Sequence, residues 1–370
     1  MDSRLHIASG QILVYHLFTL ANTVDLDLLR ALGLETSAAP FTSRRPTPGY
    51  IQFRNAPLTF PLGAHLVELE PERTVEARVL AKVFDFGVLS LRWIFPCPGE
   101  WEELVATAGL YIDRPALEQH SREILKTLIP RLQPALKNMP KEVLSEDYTI
   151  FYLQEFDTSV TAETLLKNQA PALSRLIRGE SKALSRTEQN EALRSQVSYF
   201  DDDLVVIDWN TAFIYDRAGG AEHMDTLEFA NAELLELRFY DRLLDDQMDV
   251  IYQDIERGEA LPRWRSWLRT DYPRTMQRLM ALTVDVIELT EQIENALKFI
   301  GDLYSARLYR IIAERLRLRE WEASIDDKLK TAQHVYQMLT DQVDTRRSVL
   351  MEVIIIVLIA FEILMAFRHP

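Results

Sequence analysis

The residues from Val349 to Phe367 read VLMEVIIIVLIAFEILMAF, and no glycine or proline interrupts the chain from Asp302 up to them. A helix of that length, ending in an aliphatic run, constrains the fold more than any other feature. Nineteen residues fall just inside the roughly 17–25 needed to cross a hydrocarbon core. On an insertion scale the large aliphatic and Phe residues contribute about −4 to −8 kcal/mol, against about +2.5 to +3.5 for a central acid. Glu352 and Glu362 stand off-centre. Residues 347–370 are therefore expected to be a C-terminal single-pass membrane anchor. A buried helix in a soluble bundle is the alternative. Arg346 and Arg347 before the span place the N-terminal part on the cytoplasmic side, or the matrix side in an organelle.

The two acids are ten residues apart, within about 80° of each other on a helical wheel. An acid in a membrane helix faces protein or water. Glu352 and Glu362, with Ile355 and Ile359 between them, are thus expected to form a contact between copies of the chain. Upstream, apolar residues recur at heptad-like spacing, first Leu279, Leu282, Val286, Leu289 and Ile293, then, after a phase shift, Ile325, Leu329, Ala332, Tyr336 and Val343. A hairpin of two helices and one continuous coiled coil both fit that pattern.

The first 220 residues carry strand signals instead. Ile12 to Leu20 reads as a first strand. Val75, Ala77, Val79, Ala81 and Val83 alternate with Glu76, Arg78 and Lys82, the period-two pattern of a half-buried strand, and Leu89, Leu91 and Trp93 continue it. Asp85-Phe86-Gly87 between them reads as a hairpin turn. It matches a kinase magnesium triplet only by letter, since no glycine-rich loop or catalytic loop accompanies it. Further strands are expected at Tyr148–Leu153, Leu204–Ile207 and Thr211–Tyr215. The resulting expectation is an α+β N-terminal domain with a mostly antiparallel sheet (1–220). An acidic all-α region (221–300), a long coiled-coil helix (301–346) and a transmembrane helix (347–370) follow it.

Charge is unevenly placed. Net charge is −15, and residues 200–259 hold 17 Asp or Glu against 4 Arg. The next segment, RWRSWLRTDYPRTMQR, is basic and aromatic; Arg263, Arg265, Arg269 and Arg274 are candidate contacts for an anionic partner, RNA or lipid. Asp241, Asp245 and Asp249 recur at i, i+4 and i+8, but with no histidine or second ligand helix they are read as a solvated face, and no metal is expected. Cys97 is the one cysteine, which argues for folding in a reducing compartment. The start of the chain lacks a secretory pattern.

No phosphate loop, nucleophile elbow or HExxH occurs, so no catalytic or cofactor-binding residue is assigned. The one histidine among acids, in Glu222-His223-Met224-Asp225, reads as the start of a helix.

The segment Arg307 to Phe367, with Leu350-Met351-Glu352 through Glu362 at its end, resembles the C-terminal region of the required-for-meiotic-nuclear-division family, also called Sad1-interacting-factor-like. VYHLFTLANTVDLDLLRAL, FDFGVLSLRWIF and DDDLVVI echo it more weakly. That resemblance implies a membrane-bound domain without established catalytic residues, and a link to ribosomes. The function expected is a membrane-anchored, oligomeric, non-enzymatic scaffold or adaptor for a protein or ribosome partner, with direct nucleic-acid contact left open. An enzyme with a pocket in the N-terminal domain is the alternative.

Overall fold

The structure is a computed structural model that describes residues 5–33, 37–38, 56–71, 73–259, 280–281, 283–284, 286–287 and 303–368. Its main strands are β1 (Ile7–Thr19), β2 (Leu58–Glu70), β3 (Arg73–Val83), β4 (Val88–Pro96), β5 (Ser145–Phe156), β6 (Asp203–Ile207) and β7 (Thr211–Asp216). Two-residue strands at Ser37–Ala38 and Gln196–Val197 complete a nine-stranded sheet, in the order Ser37–Ala38, β2, β3, β4, β1, β5, β7, β6, Gln196–Val197. β1 lies at the centre because nearly every residue from Ile12 to Thr19 is buried, which a strand achieves only when both faces of its sheet are covered.

On one face Ile12, Val14, Trp93, Phe95, Phe151 and Phe213 pack with α2 (Trp101–Thr107), α4 (Ala162–Asn168), α5 (Ala170–Arg178) and α6 (Arg186–Ala192). Phe18, Leu89 and Leu91 meet α1 (Leu26–Ala31) and α3 (Pro115–Leu132) on that same face. α3 starts with proline at its first turn, where a missing N–H costs nothing, and buries Leu117, Ser121, Leu125, Leu128 and Leu132 at helical spacing. The opposite face carries Tyr15, Lys82 and Arg92, which meet α7 (Ala221–Glu259).

The β3–β4 hairpin read from the alternation is present, with Val83 opposite Leu89. Its turn demands glycine: Gly87 has φ +100, and a Cβ there would stand 1.7 Å from the Ala21 carbonyl oxygen. Among the described residues the sheet is mixed: seven of its eight pairings are antiparallel and one is parallel. β5 and β7 pair in parallel, with Thr149 opposite Thr211 and Leu153 opposite Tyr215, and the connection between them runs through α4, α5, α6 and β6. The domain is a mixed α/β layer structure. Period-two alternation marks a strand but not its direction.

Beyond the sheet the chain is helical. The helix expected without interruption from residue 302 is two helices, α8 (Leu303–Arg315) and α9 (Leu318–Arg368), broken where Arg317 adopts a left-handed conformation at φ +58. The chain forms two compact units, Met1–Phe239 with Leu289–Trp321, and Tyr240–Glu288 with Glu322–Pro370.

The transmembrane segment also needs correction. Among the described residues no helix is long and apolar enough to cross a membrane, so a C-terminal single-pass anchor and a membrane location are not supported. Between Glu352 and Glu362 the acid-free run is Val353–Phe361. Those nine residues rise about 13 Å as a helix, less than half of a hydrocarbon core of roughly 30 Å.

Candidate functional site

Residues Val349 to Met365 of α9 form the largest apolar surface among the described residues. Twelve large apolar side chains there are between 46% and 64% exposed, among them Ile355 and Ile359. Val353, Ile354, Ile355 and Ile356 are all exposed, and successive helical residues point about 100° apart, so the surface runs round the whole helix. Glu352 and Glu362, both exposed, bound its central acid-free run, Val353–Phe361, with Val349, Met351, Ile363 and Met365 beyond them. In the same unit Met280, Val284 and Ile287 are helical and exposed at i, i+4 and i+7, a second apolar stripe.

The sheet domain holds its charges inside. Glu228 of α7 is fully buried and accepts hydrogen bonds from Lys82 Nζ at 2.6 Å and from Arg92, while Asp225 takes the same two cations at 2.8 and 3.2 Å. Burial pushes the Glu228 carboxyl up, but Arg92 and Lys82 outweigh it and hold it at about 2. Arg92 also stands over the Tyr15 ring, whose hydroxyl burial pushes far above its ordinary range. A second knot surrounds Asp208, fully buried in the β6–β7 turn. Arg178 of α5 reaches it at 2.7 Å and Arg315 of α8 at 3.1 Å, and the two arginines continue to Glu188 and Glu191. Near the start of β5, Asp147 is pushed up to about 7 by burial and by its neighbour Asp113, which also accepts from Asn210 at 3.1 Å. His16, held down at about 4 by burial, meets the Ser121 hydroxyl at 3.0 Å, and Trp93 donates to that hydroxyl at 2.8 Å.

A third grouping lies where β7 ends and α7 begins. Asp216 Oδ2 faces His223 Nδ1 at 3.3 Å, and both side chains are 2% exposed. His223 Nε2 lies 3.2 Å from the Tyr304 hydroxyl on α8. Ser305 donates to Glu222, and the Arg307 guanidinium stands 5.5 Å from the centre of the Tyr304 ring. Tyr199 packs edge-on against Tyr304 at 5.3 Å, and Tyr199 and Phe200 are each about half exposed.

A family model described as "Uncharacterized protein MJ0711, N-terminal domain" matches residues 9–222, more than half of the chain. The chain belongs to that family. The matched region of the MJ0711 family contains the whole sheet from within β1 to the first turn of α7. Uncharacterized protein MJ0711 of Methanocaldococcus jannaschii is 24% identical over 245 residues, covering 66% of this chain and 73% of that protein. No solved structure matches the chain. Neither match points to the required-for-meiotic-nuclear-division family, so the resemblance drawn from the terminal helix is not supported. The family match covers residues 9–222 and so leaves out the terminal helix that carried the resemblance. The ribosome link came with that resemblance alone and is not carried forward.

Of the residues singled out from the sequence, Glu352, Ile355, Ile359 and Glu362 lie on one exposed helical segment, as neighbours in one surface. Arg263, Arg265, Arg269 and Arg274 lie outside the described residues. Asp241 and Asp245 bind Lys328 of α9 at 2.8 and 2.7 Å, so two of the acids read as a solvated face are paired with a lysine. His223 turns inward to Asp216 and Tyr304, which no linear pattern signals because Tyr304 is 81 residues away. The buried partners of Lys82 and Arg92 were equally hidden, since period-two alternation assigns both residues to a solvent face.

Proposed function

We propose that the chain is an oligomeric scaffold whose working surface is the apolar segment of α9, and that further copies of the same chain cover it. The observation that carries this is exposure on every side of Val349–Met365. A helix that is apolar all round belongs in a buried environment. Twelve large apolar residues about half exposed leave on the order of 1,000 Å² per chain, above the roughly 800 Å² per partner of a standard interface. One neighbouring helix covers only one side of a cylinder, so closing the surface takes a bundle of three or more helices. Identical copies bring identical unmet surfaces in register, which closed symmetry satisfies. Glu352 and Glu362 then flank the central run of the plug, Val353–Phe361, one at each end, where the carboxylates need water or a partner.

A photo-crosslinking residue in place of Val357, in the intact chain without detergent, tests this. Chain-to-chain products beyond the dimer are expected. Capture only into added lipid vesicles, or no product, would remove the proposal. This surface needs no catalytic chemistry.

A further inference from the structure

We propose that Asp216, His223 and Tyr304 form an acid–base relay that makes the Tyr304 phenol an acyl acceptor, a chemical function separate from assembly through α9. The connectivity is that of a nucleophile, a base and an orienting carboxylate: the hydroxyl 3.2 Å from Nε2, and Nδ1 3.3 Å from a carboxylate oxygen. Nδ1 and the Asp216 carboxylate are within reach but not aligned as a hydrogen bond, as catalytic contacts of an unliganded site often are. A proton held on Nδ1 beside that carboxylate leaves Nε2 as the acceptor for the phenol proton. Asp216 is itself fixed, because its Oδ1 accepts from the Ala218 N–H at 3.0 Å.

The place in the fold supports the same conclusion. Asp216 ends β7, at the carboxyl end of the parallel β5–β7 pair, the position where α/β sheets open their ligand crevices. Gly219, at φ +108, and Gly220 turn the chain there into α7. Arg307 puts a positive charge beside the Tyr304 ring, which favours the phenolate-like oxygen of an acyl-transfer transition state.

The surroundings select the substrate. Half-exposed Tyr199 and Phe200 offer aromatic edges and faces next to Tyr304. Exposed Asp201 and Asp202, with Glu222 on the other side, repel anions. The class that fits is a small uncharged carboxylic ester bearing an aromatic group. In the step, the Tyr304 oxygen forms a bond to the acyl carbon and its proton passes to His223 Nε2. The ester C–O bond breaks, the leaving alcohol or phenolate takes the electron pair, and the protonated imidazole supplies its proton where needed. Water later removes the acyl group.

The test uses the intact chain and p-nitrophenyl acetate, with nitrophenolate release followed optically and the acetylated residue located by peptide mass spectrometry. Tyr304 should be acetylated at least tenfold faster than Tyr199, its exposed neighbour and internal reference. Tyr304→Phe, which keeps the ring packing, should abolish the fast phase. Asp216→Asn should slow it by about 10²-fold or more while circular dichroism shows the fold retained. Equal acetylation of Tyr199 and Tyr304 would overturn the proposal, as would an unchanged rate in folded Asp216→Asn. Should Asp216→Asn unfold, the wild-type pH profile decides. A rate that levels off once a histidine loses its proton supports the relay, and one that climbs until a free phenol ionises refutes it.

Discussion

Replacing Glu228 with Gln keeps the size of the side chain and removes one charge from a buried group of four. Lys82 and Arg92 are then left with Asp225, which reaches them from the partly open side of the cluster at 2.8 and 3.2 Å. The cost follows from the folded carboxyl. Glu228 is held at about 2 against an ordinary 4.5, a difference of about 2.5 units, or about 3 kcal/mol at 1.36 kcal/mol per unit. Breaking a buried ion pair by removing one partner costs about 3–5 kcal/mol, so the two routes agree. Because the folded value lies below the unfolded one, the contribution is full above about pH 4.5 and is lost as pH falls towards 2. Urea unfolding followed by circular dichroism should show Glu228→Gln less stable by about 3 kcal/mol at pH 7, and the gap to wild type should narrow below pH 4. A penalty under about 1 kcal/mol at pH 7, or a gap that does not change with pH, would show that the cluster does not hold α7 to the sheet.

Asp208→Asn leaves Arg178 and Arg315 facing an amide, and a loss of about 3 kcal/mol is expected in the same assay, with faster hydrogen exchange in α8, which Arg315 ties to the β6–β7 turn. Gly87→Ala must move the Ala21 carbonyl and adopt a left-handed backbone, so it should lower the thermal midpoint by several degrees or prevent folding. Gly33→Ala, left-handed too at φ +71 but with nothing within 4 Å, carries the backbone strain without the clash and should cost less. Asp147 is raised to about 7 by burial and by Asp113, so the folded chain binds the extra proton and this group stabilises at low pH, an effect lost as pH rises through 7. Asp147→Asn should therefore raise the melting temperature at pH 8 and leave it nearly unchanged at pH 4.

Most long strands of the N-terminal domain were legible because period two is a local signal, and β3, β4 and the Asp85-Phe86-Gly87 turn can be read from one local stretch. β2 (Leu58–Glu70), by contrast, was not among the strands expected. The parallel pairing was not legible either, because the β5–β7 pair depends on a crossover of more than fifty residues. The break at Arg317 was invisible for a different reason: neither glycine nor proline marks it, and the left-handed turn at an arginine shows only in the folded chain. Lys82 and Arg92 sit at positions that alternation assigns to solvent, yet α7 covers that face and brings its own carboxylates. The candidate surface on α9 was legible as an apolar run, and its length misled, since two glutamates divide nineteen residues into pieces too short to span a bilayer. The Asp216–His223–Tyr304 grouping joins three elements and has no linear signature.

Assembly through α9 is tested most directly by sedimentation equilibrium of the full chain in detergent-free buffer, beside the double variant Ile355→Glu, Ile359→Glu. Both residues are about half exposed, at 53% and 51%, so the substitutions should leave the fold of each chain intact while placing charges inside the proposed bundle. The wild-type chain should sediment with the mass of three or more copies and the variant as a monomer. A monomeric wild-type chain, or equal masses for the two, would contradict the assembly.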